Sequence, residues 1–350
     1  MDILACQKDN EGMICQKCGG FINIYDQLIG IKDQLEIINK SNNITIDKIK
    51  TQLNNIIILI DNMLPQIKKK DINDNNKIKK KYDNIITGII DINENNKNIL
   101  LCKSNQKINI FINDEKINII NKDNNKYMYK FNKNGKYAIK YQFENDVANL
   151  NNFFENCEEI ISLDLSNFNT SKIKNMSSMF NGCKKLKVLQ LNNLFNTENV
   201  TNMSAMFQKC EELESLDLST FNTSKVTNMG YMFAGCMKLK ELQVNNLFNT
   251  DNVTNMNAMF QTCFELESLD LLKFNTSKVT TMEFMFNKCY KLKEIKGLNK
   301  FNTSNVTNMR ALFQLCKELI SLDLSSFNTS KVKEMECMFA GCENLRKLKI

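Results

Sequence analysis

The stretch Val226-Thr227-Asn228-Met229-Gly230-Tyr231-Met232-Phe233-Ala234-Gly235-Cys236 decides the fold, because close copies of it recur along residues 147–350. The cysteine that ends each copy recurs at alternating separations of 26 and 27 residues, at Cys157, Cys183, Cys210, Cys236, Cys263, Cys289, Cys316 and Cys342. The true unit is therefore a pair of copies 53 residues long, one of which carries an extra residue. A repeat of this length predicts stacked supersecondary units.

Each copy contains a short strand. In one copy, Leu213, Leu216 and Leu218 follow the L-x-x-L-x-L pattern of a leucine-rich repeat. Because successive side chains of a strand alternate between its faces, Leu216 and Leu218 point inward while Ser215 and Asp217 point outward. One copy cannot enclose its own apolar side, so successive copies stack and bury it between them.

A short helical turn is predicted elsewhere in each copy. Met229, Met232 and Phe233 have the i, i+3, i+4 spacing of one helix face. With the strands, this turn predicts an α/β solenoid over residues 147–350, a leucine-rich-repeat stack of about eight units of 26 or 27 residues.

The copies resemble those of the BspA-like leucine-rich-repeat family. The resemblance rests on residues 221–236 and on the Leu239-Lys240-Glu241-Leu242 that follows, and it covers residues 147–350 only. Its motif, Asn-Met-x-x-Met-Phe-x-x-Cys, is not a generic leucine-rich pattern. The resemblance implies a surface-type or host-interaction protein that binds other proteins, with no catalytic residues to carry over.

A small antiparallel β-sheet is predicted over residues 104–146. Ile108, Ile110 and Ile112 alternate with other residues, which is typical of strands, and Asn134-Gly135 indicates a tight hairpin. A solenoid exposes its terminal core unless something covers it, so we expect this sheet to cap the first repeat.

Residues 1–103 are predicted to be helical. Apolar residues from Ile46 to Ile67 repeat at alternating spacings of three and four, which gives a seam of three heptads. A further helical stretch is predicted from Ile78 through Ile85 and Ile89. Two interpretations stay open for the seam: a small intramolecular helical bundle, and a coiled coil through which the chain self-associates.

The cysteines of the N-terminal region form a candidate metal site. Cys15-Gln16-Lys17-Cys18-Gly19-Gly20 is a knuckle that suits tetrahedral zinc, and Cys6 adds a third thiolate. Cys102, or a cysteine of a second chain, could supply the fourth. A structural zinc is therefore a candidate, and no cofactor is required. The repeat cysteines are interpreted as small buried apolar residues, with a ladder of disulfides as the alternative.

The outward strand positions form the predicted partner-binding face. One position per copy gives Asp164, Gln190, Asp217, Gln243, Asp270, Lys296 and Asp323. Aspartates two copies apart are separated by about 10 Å at the strand spacing, too far to share one metal ion or one proton. Interface hot spots favour aromatic residues and Arg, which this strip lacks, so we expect an extended polar contact.

The composition argues against several classes of function. The chain has no His, which removes the usual general base and the commonest metal ligand. No phosphate-binding loop, dinucleotide fingerprint or Ser/His/Asp set occurs, so we predict neither an enzyme nor a small-molecule substrate. The net charge of +7 comes largely from Lys runs at 68–70 and 79–81, which are typical of solvated segments and do not favour a nucleic-acid partner.

We therefore predict a non-catalytic scaffold for protein–protein interactions, with its partner unidentified. No signal peptide is visible, and the apolar run at 56–60 is too short to span a bilayer, so the predicted location is the cytoplasm. The alternative is an adhesin-type binding protein of the same repeat family, secreted or at the cell surface.

Overall fold

A β-solenoid of about seven turns forms the C-terminal part of the chain, where about eight units were predicted. The computed structural model describes residues 84–118, 125–191, 195–244 and 247–350, which lie in one compact unit. The strands of this part are β1 (Ile85–Ile92), β2 (Asn98–Lys103), β3 (Ile108–Ile112), β4 (Glu115–Lys116), β5 (Lys126–Lys130), β6 (Gly135–Phe143), β7 (Ile160–Asp164), β8 (Val188–Gln190), β9 (Ser215–Leu218), β10 (Glu241–Val244), β11 (Ser268–Asp270), β12 (Glu294–Lys296), β13 (Ser321–Asp323) and β14 (Lys347–Lys349). Among the described residues the helical content is one 3-10 turn, Leu298–Lys300.

The solenoid strands pair in parallel, two at a time. β7 pairs with β8, β9 with β10, β11 with β12 and β13 with β14, whereas strands of successive pairs belong to separate sheets. The step from Ser215 to Glu241, within a pair, is 26 residues, and the step from Val188 to Ser215, between pairs, is 27. The extra residue of the longer copy therefore interrupts the strand ladder once in every 53-residue unit.

The predicted α/β class is wrong, because the Met-Phe segment forms turns instead of a helix. The Met232 N–H donates to the Met229 carbonyl at 3.2 Å, and the Cys236 N–H donates to the Phe233 carbonyl at 3.1 Å. Tyr231 and Gly235 have left-handed φ values of 60° and 80°. Alternate N–H groups of this segment donate to the next coil, so they cannot form the i to i−4 bonds of a helix.

The core of the solenoid is a set of ladders of identical side chains. One phenylalanine per coil is stacked on the next with ring centroids 5.4–5.9 Å apart, in the series Phe154, Phe180, Phe207, Phe233, Phe260, Phe286, Phe313 and Phe339. Burial of such rings, each against its own kind, is the main source of stability that the repeat provides.

The repeat cysteines form a second buried ladder and are free thiols. Cys236 is fully buried, and its Sγ donates to the Phe207 carbonyl of the preceding coil at 3.1 Å. Burial raises the pKa of Cys236 and that of Cys289 to about 12 each. These residues therefore behave as the small buried hydrophobes that the sequence suggested, and the disulfide alternative is wrong for Cys157 through Cys342.

Thiol labelling should separate the buried ladder from an exposed neighbour. Cys337 is exposed, whereas Cys236 is fully buried with a raised pKa. The thiolate is the reactive form, so iodoacetamide should modify Cys337 at once and Cys236 only as fast as the chain opens. Peptide mapping by mass spectrometry after timed quenching measures both rates in one sample. Equal rates at the two positions would contradict the buried ladder.

A sheet in front of the repeats covers the first coil. β6 pairs antiparallel with β1 and β3, and β1 pairs antiparallel with β7, so one six-stranded sheet runs β4-β3-β6-β1-β7-β8. β2 and β5 form a separate antiparallel pair. Tyr141 packs against Phe154 of the first coil with ring centroids 5.2 Å apart, and Phe143 packs against Phe168 at 5.0 Å. The covering sheet thus shares one core with the solenoid.

The helical prediction for residues 1–103 is wrong where the structure describes them, because residues 85–92 and 98–103 are strands. Ile86, Ile90 and Ile92 are buried, and Gly88 occupies the inward position between the first two. A Cβ at Gly88 would lie 2.4 Å from the Ser162 carbonyl oxygen, so only glycine fits. This glycine hides the period of two and leaves a spacing of four that imitates a helix. The rest of that region, up to residue 83, lies outside the described residues.

Ion pairs reinforce the 53-residue unit. The first copy of each pair carries acidic residues and the second carries Lys at the matching positions. Lys238 lies 2.7 Å from Glu212 and Lys240 lies 3.0 Å from Glu214. The same pattern recurs one unit earlier and one unit later, at Glu158–Lys184 and Glu159–Lys185 and at Glu265–Lys291 and Glu267–Lys293. Each exposed pair contributes little alone, but the series favours the pairing of one copy with its own partner.

Candidate functional site

The outward residues of β7 to β14 form one surface, which we call the strand face. The structure aligns its predicted members two at a time, as Asp164 with Gln190, Asp217 with Gln243, Asp270 with Lys296, and Asp323 with Lys349. Gln190, Asp217, Gln243, Asp270 and Lys296 are exposed, whereas Asp164 and Asp323 are half-buried. The leucines between them point into the core, so all seven predicted residues lie on the accessible side of the strands.

The aspartates of the strand face also shape the turn that follows each strand. The Oδ1 atom of Asp217 accepts a hydrogen bond from the Ser219 N–H at 2.8 Å, and that of Asp270 accepts one from the Leu272 N–H at 3.0 Å. Asp164 and Asp323 make the same bond to the residue two positions on. Sequence reasoning treated these carboxylates as binding groups and missed this second role. It holds each carboxylate in one orientation relative to the strand.

Charge along the strand face changes from acidic to basic. Asp217, Glu241 and Asp270 lie on β9 to β11, whereas Lys347 and Lys349 lie on β14. At the basic end Lys349 lies 3.2 Å from Asp323. Hydrogen bonds from Ser325, followed by that from Lys349, lower the pKa of Asp323. The face therefore carries an electrostatic gradient that a partner can recognise.

Cavities lie at the breaks between strand pairs. The one between β8 and β9 encloses about 370 Å³ and includes Gln190 and Asp217 in its lining. The one between β10 and β11 encloses about 450 Å³ and includes Gln243 and Asp270. A glutamine of one pair and an aspartate of the next thus occur in both, one 53-residue unit apart. At the third break the 3-10 turn follows β12, and Ser326 Oγ donates to the Leu298 carbonyl at 3.2 Å.

Two exposed apolar residues near this surface escaped the sequence reasoning. Val188 is 50% exposed and Ile89 is 40% exposed. Val188 occupies an outward position that is polar in the neighbouring strands, at Ser162 and Ser215. That contrast was a usable signal. Ile89 had been assigned to a helix, so its place on a sheet face was hidden.

The candidate zinc ligands Cys6, Cys15 and Cys18 lie outside the described residues, and so does the seam from Ile46 to Ile67. Cys102, the suggested fourth ligand, is fully buried on β2, and burial raises its pKa well above the usual value. Among the residues that the structure describes, no group of three or more His, Cys, Asp or Glu side chains could hold a metal ion. The zinc site and self-association through the seam both stay predictions.

The repeat segment matches a known family. The sequence profile described as "Mycoplasma protein of unknown function, DUF285" matches residues 148–268 and 259–349, which is more than half of the 350-residue chain. The chain belongs to the DUF285 family. The match falls on the segment that resembles the BspA-like leucine-rich repeats, and that resemblance is confirmed for this segment alone.

The DUF285 repeats are also similar to a solved structure, a leucine rich cell surface protein from Faecalibacterium prausnitzii A2-165. The two are 16% identical, the match covers 57% of this chain and 75% of that chain, and the TM-score is 0.26. A search of the curated proteins found no match. No helix among the described residues is long and apolar enough to cross a membrane. The cytoplasmic location and the cell-surface alternative both stay predictions.

Proposed function

We propose that the chain is a non-catalytic scaffold that binds another protein through the strand face. The observation that carries the proposal is the register of the solenoid strands, which presents Asp217, Gln243, Asp270 and Lys296 outward at fixed spacing. Stacked repeats supply extended binding surfaces because each repeat adds one row of side chains to the same face. The ladders of the core keep these rows rigid, which lowers the entropy lost on binding.

The charge gradient defines the chemistry of the partner. A basic segment of the partner would face Asp217, Glu241 and Asp270, and an acidic segment would face Lys347 and Lys349. Aspartates two coils apart are separated by about 10 Å, so each contacts a different group of the partner. Contacts of this kind raise the association rate and specificity more than the affinity, so the complex should weaken with added salt.

The strand face is tested by partner capture with paired substitutions in the full chain. The partner that the wild-type chain recovers is identified by mass spectrometry, purified, and measured directly for binding. Asp217→Lys with Asp270→Lys should weaken that binding at least about 10-fold, because charge reversal opposes the basic segment. Asp217→Asn with Asp270→Asn should weaken it less, because asparagine still accepts the turn hydrogen bond and only the charge is lost.

A matched control places the same added charges on another part of the coil. Thr227 and Thr280 are exposed and, like Asp217 and Asp270, lie 53 residues apart. Thr227→Lys with Thr280→Lys should leave partner binding unchanged. The proposal fails if the aspartate reversals leave binding intact, or if the threonine control weakens it equally.

A further inference from the structure

A groove lies on the outward face of the six-stranded sheet, where the covering sheet meets the first two solenoid strands. It encloses about 440 Å³, and we call it the junction groove. One row of side chains crosses it in the strand order β3, β6, β1, β7, β8, as Phe111, Lys140, Thr87, Asp164 and Gln190. Residues opposite each other in paired strands point to the same side, so this row forms one wall.

A second row runs beside the first. It contains Ala138, Ile89, Ser162 and Val188 on β6, β1, β7 and β8. Ile89 and Val188 are 40% and 50% exposed, and they flank Ser162. Ligand sites typically combine such apolar surface with a few fixed polar groups, and the first row supplies those groups.

The first row carries one charge of each sign. The Lys140 Nζ lies 4.4 Å from the centroid of the Phe111 ring and 3.4 Å from Asp114 Oδ1. The Asp114 side chain is 93% exposed, so this ion pair is weak and a carboxylate of a ligand can replace it. Asp164 lies two strands away on β7, with its Oδ1 held by the Ser166 N–H at 2.8 Å. At the strand spacing, Lys140 and Asp164 are about 10 Å apart.

The spacing of the two rows matches one peptide conformation. Ile89 and Val188 are also two strands apart, so both rows repeat at about 9.6 Å. A polyproline II helix has three residues per turn and a rise of about 3.1 Å, so side chains three positions apart recur at about 9.3 Å on one edge. A β-strand repeats on one face at about 6.7 Å, which fits neither row. The second row is displaced by one strand, as the neighbouring edge of a polyproline II helix is displaced by one residue.

We propose that the junction groove binds a peptide in the polyproline II conformation. An acidic residue at position i faces Lys140 and a basic residue at i+3 faces Asp164. Apolar residues at i+1 and i+4 cover Ile89 and Val188. The proposal deepens the proposed function, because Asp164 and Gln190 belong to the strand face, and it gives that face a ligand class.

The test is fluorescence anisotropy with the full chain and a labelled nonapeptide, Pro-Pro-Glu-Leu-Pro-Lys-Leu-Pro-Pro. Saturable binding is expected below about 1 mM. Val188→Ser, which introduces the residue that Ser215 supplies in the same column, should weaken it about 3–10-fold, and Val188→Lys at least about 10-fold. Asp164→Asn keeps the turn hydrogen bond and should weaken it about 3–10-fold by loss of charge. Ile320→Lys, at a position 53% exposed and outside the groove, should leave it unchanged.

Two further probes fix the conformation and the charges. A peptide with Gln in place of Glu and Lys should bind about 10-fold more weakly, and one with Thr in place of each Pro should bind no more tightly than that. Equal binding of the Thr probe would mean that a strand occupies the groove and would overturn the proposal. Absence of saturation by about 1 mM, or unchanged binding by Val188→Ser, would overturn it as well.

The outcome separates this proposal from the proposed function. The partner-capture test uses Asp217 and Asp270, which lie outside the junction groove. If those substitutions abolish capture while the nonapeptide does not bind, the groove proposal alone fails. If the nonapeptide binds at Val188 and capture ignores Asp217 and Asp270, the strand face beyond β8 is not the partner surface.

Discussion

Phe233→Ala should lower the free energy of unfolding by about 3–5 kcal/mol. The Phe233 ring is fully buried and is stacked on Phe207 and Phe260 with centroids 5.9 Å and 5.4 Å away. Alanine removes the ring contacts on both sides, and the neighbouring rings cannot close the cavity because their own coils hold them. For a domain of this size the thermal midpoint should fall by roughly 6–20 °C, measured by calorimetry or circular dichroism.

The matched control is the same substitution at the end of the phenylalanine ladder. Phe339 is only partly buried and is stacked on Phe313 alone, at 5.9 Å. Phe339→Ala should therefore cost less than half as much as Phe233→Ala, because less apolar area returns to water. Equal losses at the two positions would mean that stacking between coils does not carry the stability of the solenoid.

The sequence reasoning succeeded where periodicity determines the structure. The cysteine spacing placed Cys183, Cys210 and Cys236 in one column, and the structure buries all three. The alternation of Leu216, Asp217 and Leu218 likewise placed the aspartate outward, because a period of two leaves no other choice for a half-buried strand.

It failed where two structures share one spacing. The i, i+3, i+4 pattern of Met229, Met232 and Phe233 fits a helix, but it fits two successive turns equally well. The deciding signal was Gly235, whose φ of 80° is left-handed and which a helix interior disfavours. Glycine recurs at the matching positions Gly182 and Gly341, so the pattern was present in the sequence.

The junction groove could not be predicted, because it depends on pairing between segments far apart in the chain. Ile89 on β1 lies opposite Ser162 on β7, and Ser162 lies opposite Val188 on β8. No local pattern encodes that β1 pairs with the first solenoid strand. The same holds for Lys140 and Asp164, whose separation is set by the strand that lies between them.

Thr223→Val should lower the free energy of unfolding by about 2–6 kcal/mol, although valine has nearly the same shape and is more apolar. Thr223 is buried, and its hydroxyl bridges the next coil. It donates to the Asn249 carbonyl at 2.6 Å and accepts from the Asn249 N–H at 2.7 Å. Valine leaves both backbone groups without this partner, and each unsatisfied buried group costs about 1–3 kcal/mol.

Two companion variants isolate the hydroxyl as the cause, with urea denaturation as the measurement. Thr223→Ser keeps the hydroxyl and loses one methyl group, so its cost should stay near 1 kcal/mol. Thr227→Val removes a hydroxyl that is exposed and donates to the Thr201 carbonyl at 3.2 Å, where water can replace it, so its cost should also stay below about 1 kcal/mol. A Thr223→Val chain as stable as Thr227→Val would show that the threonine ladder does not join the coils. Thr197, Thr250 and Thr303 bridge to the next coil in the same way, so that result would remove one of the main links of the stack.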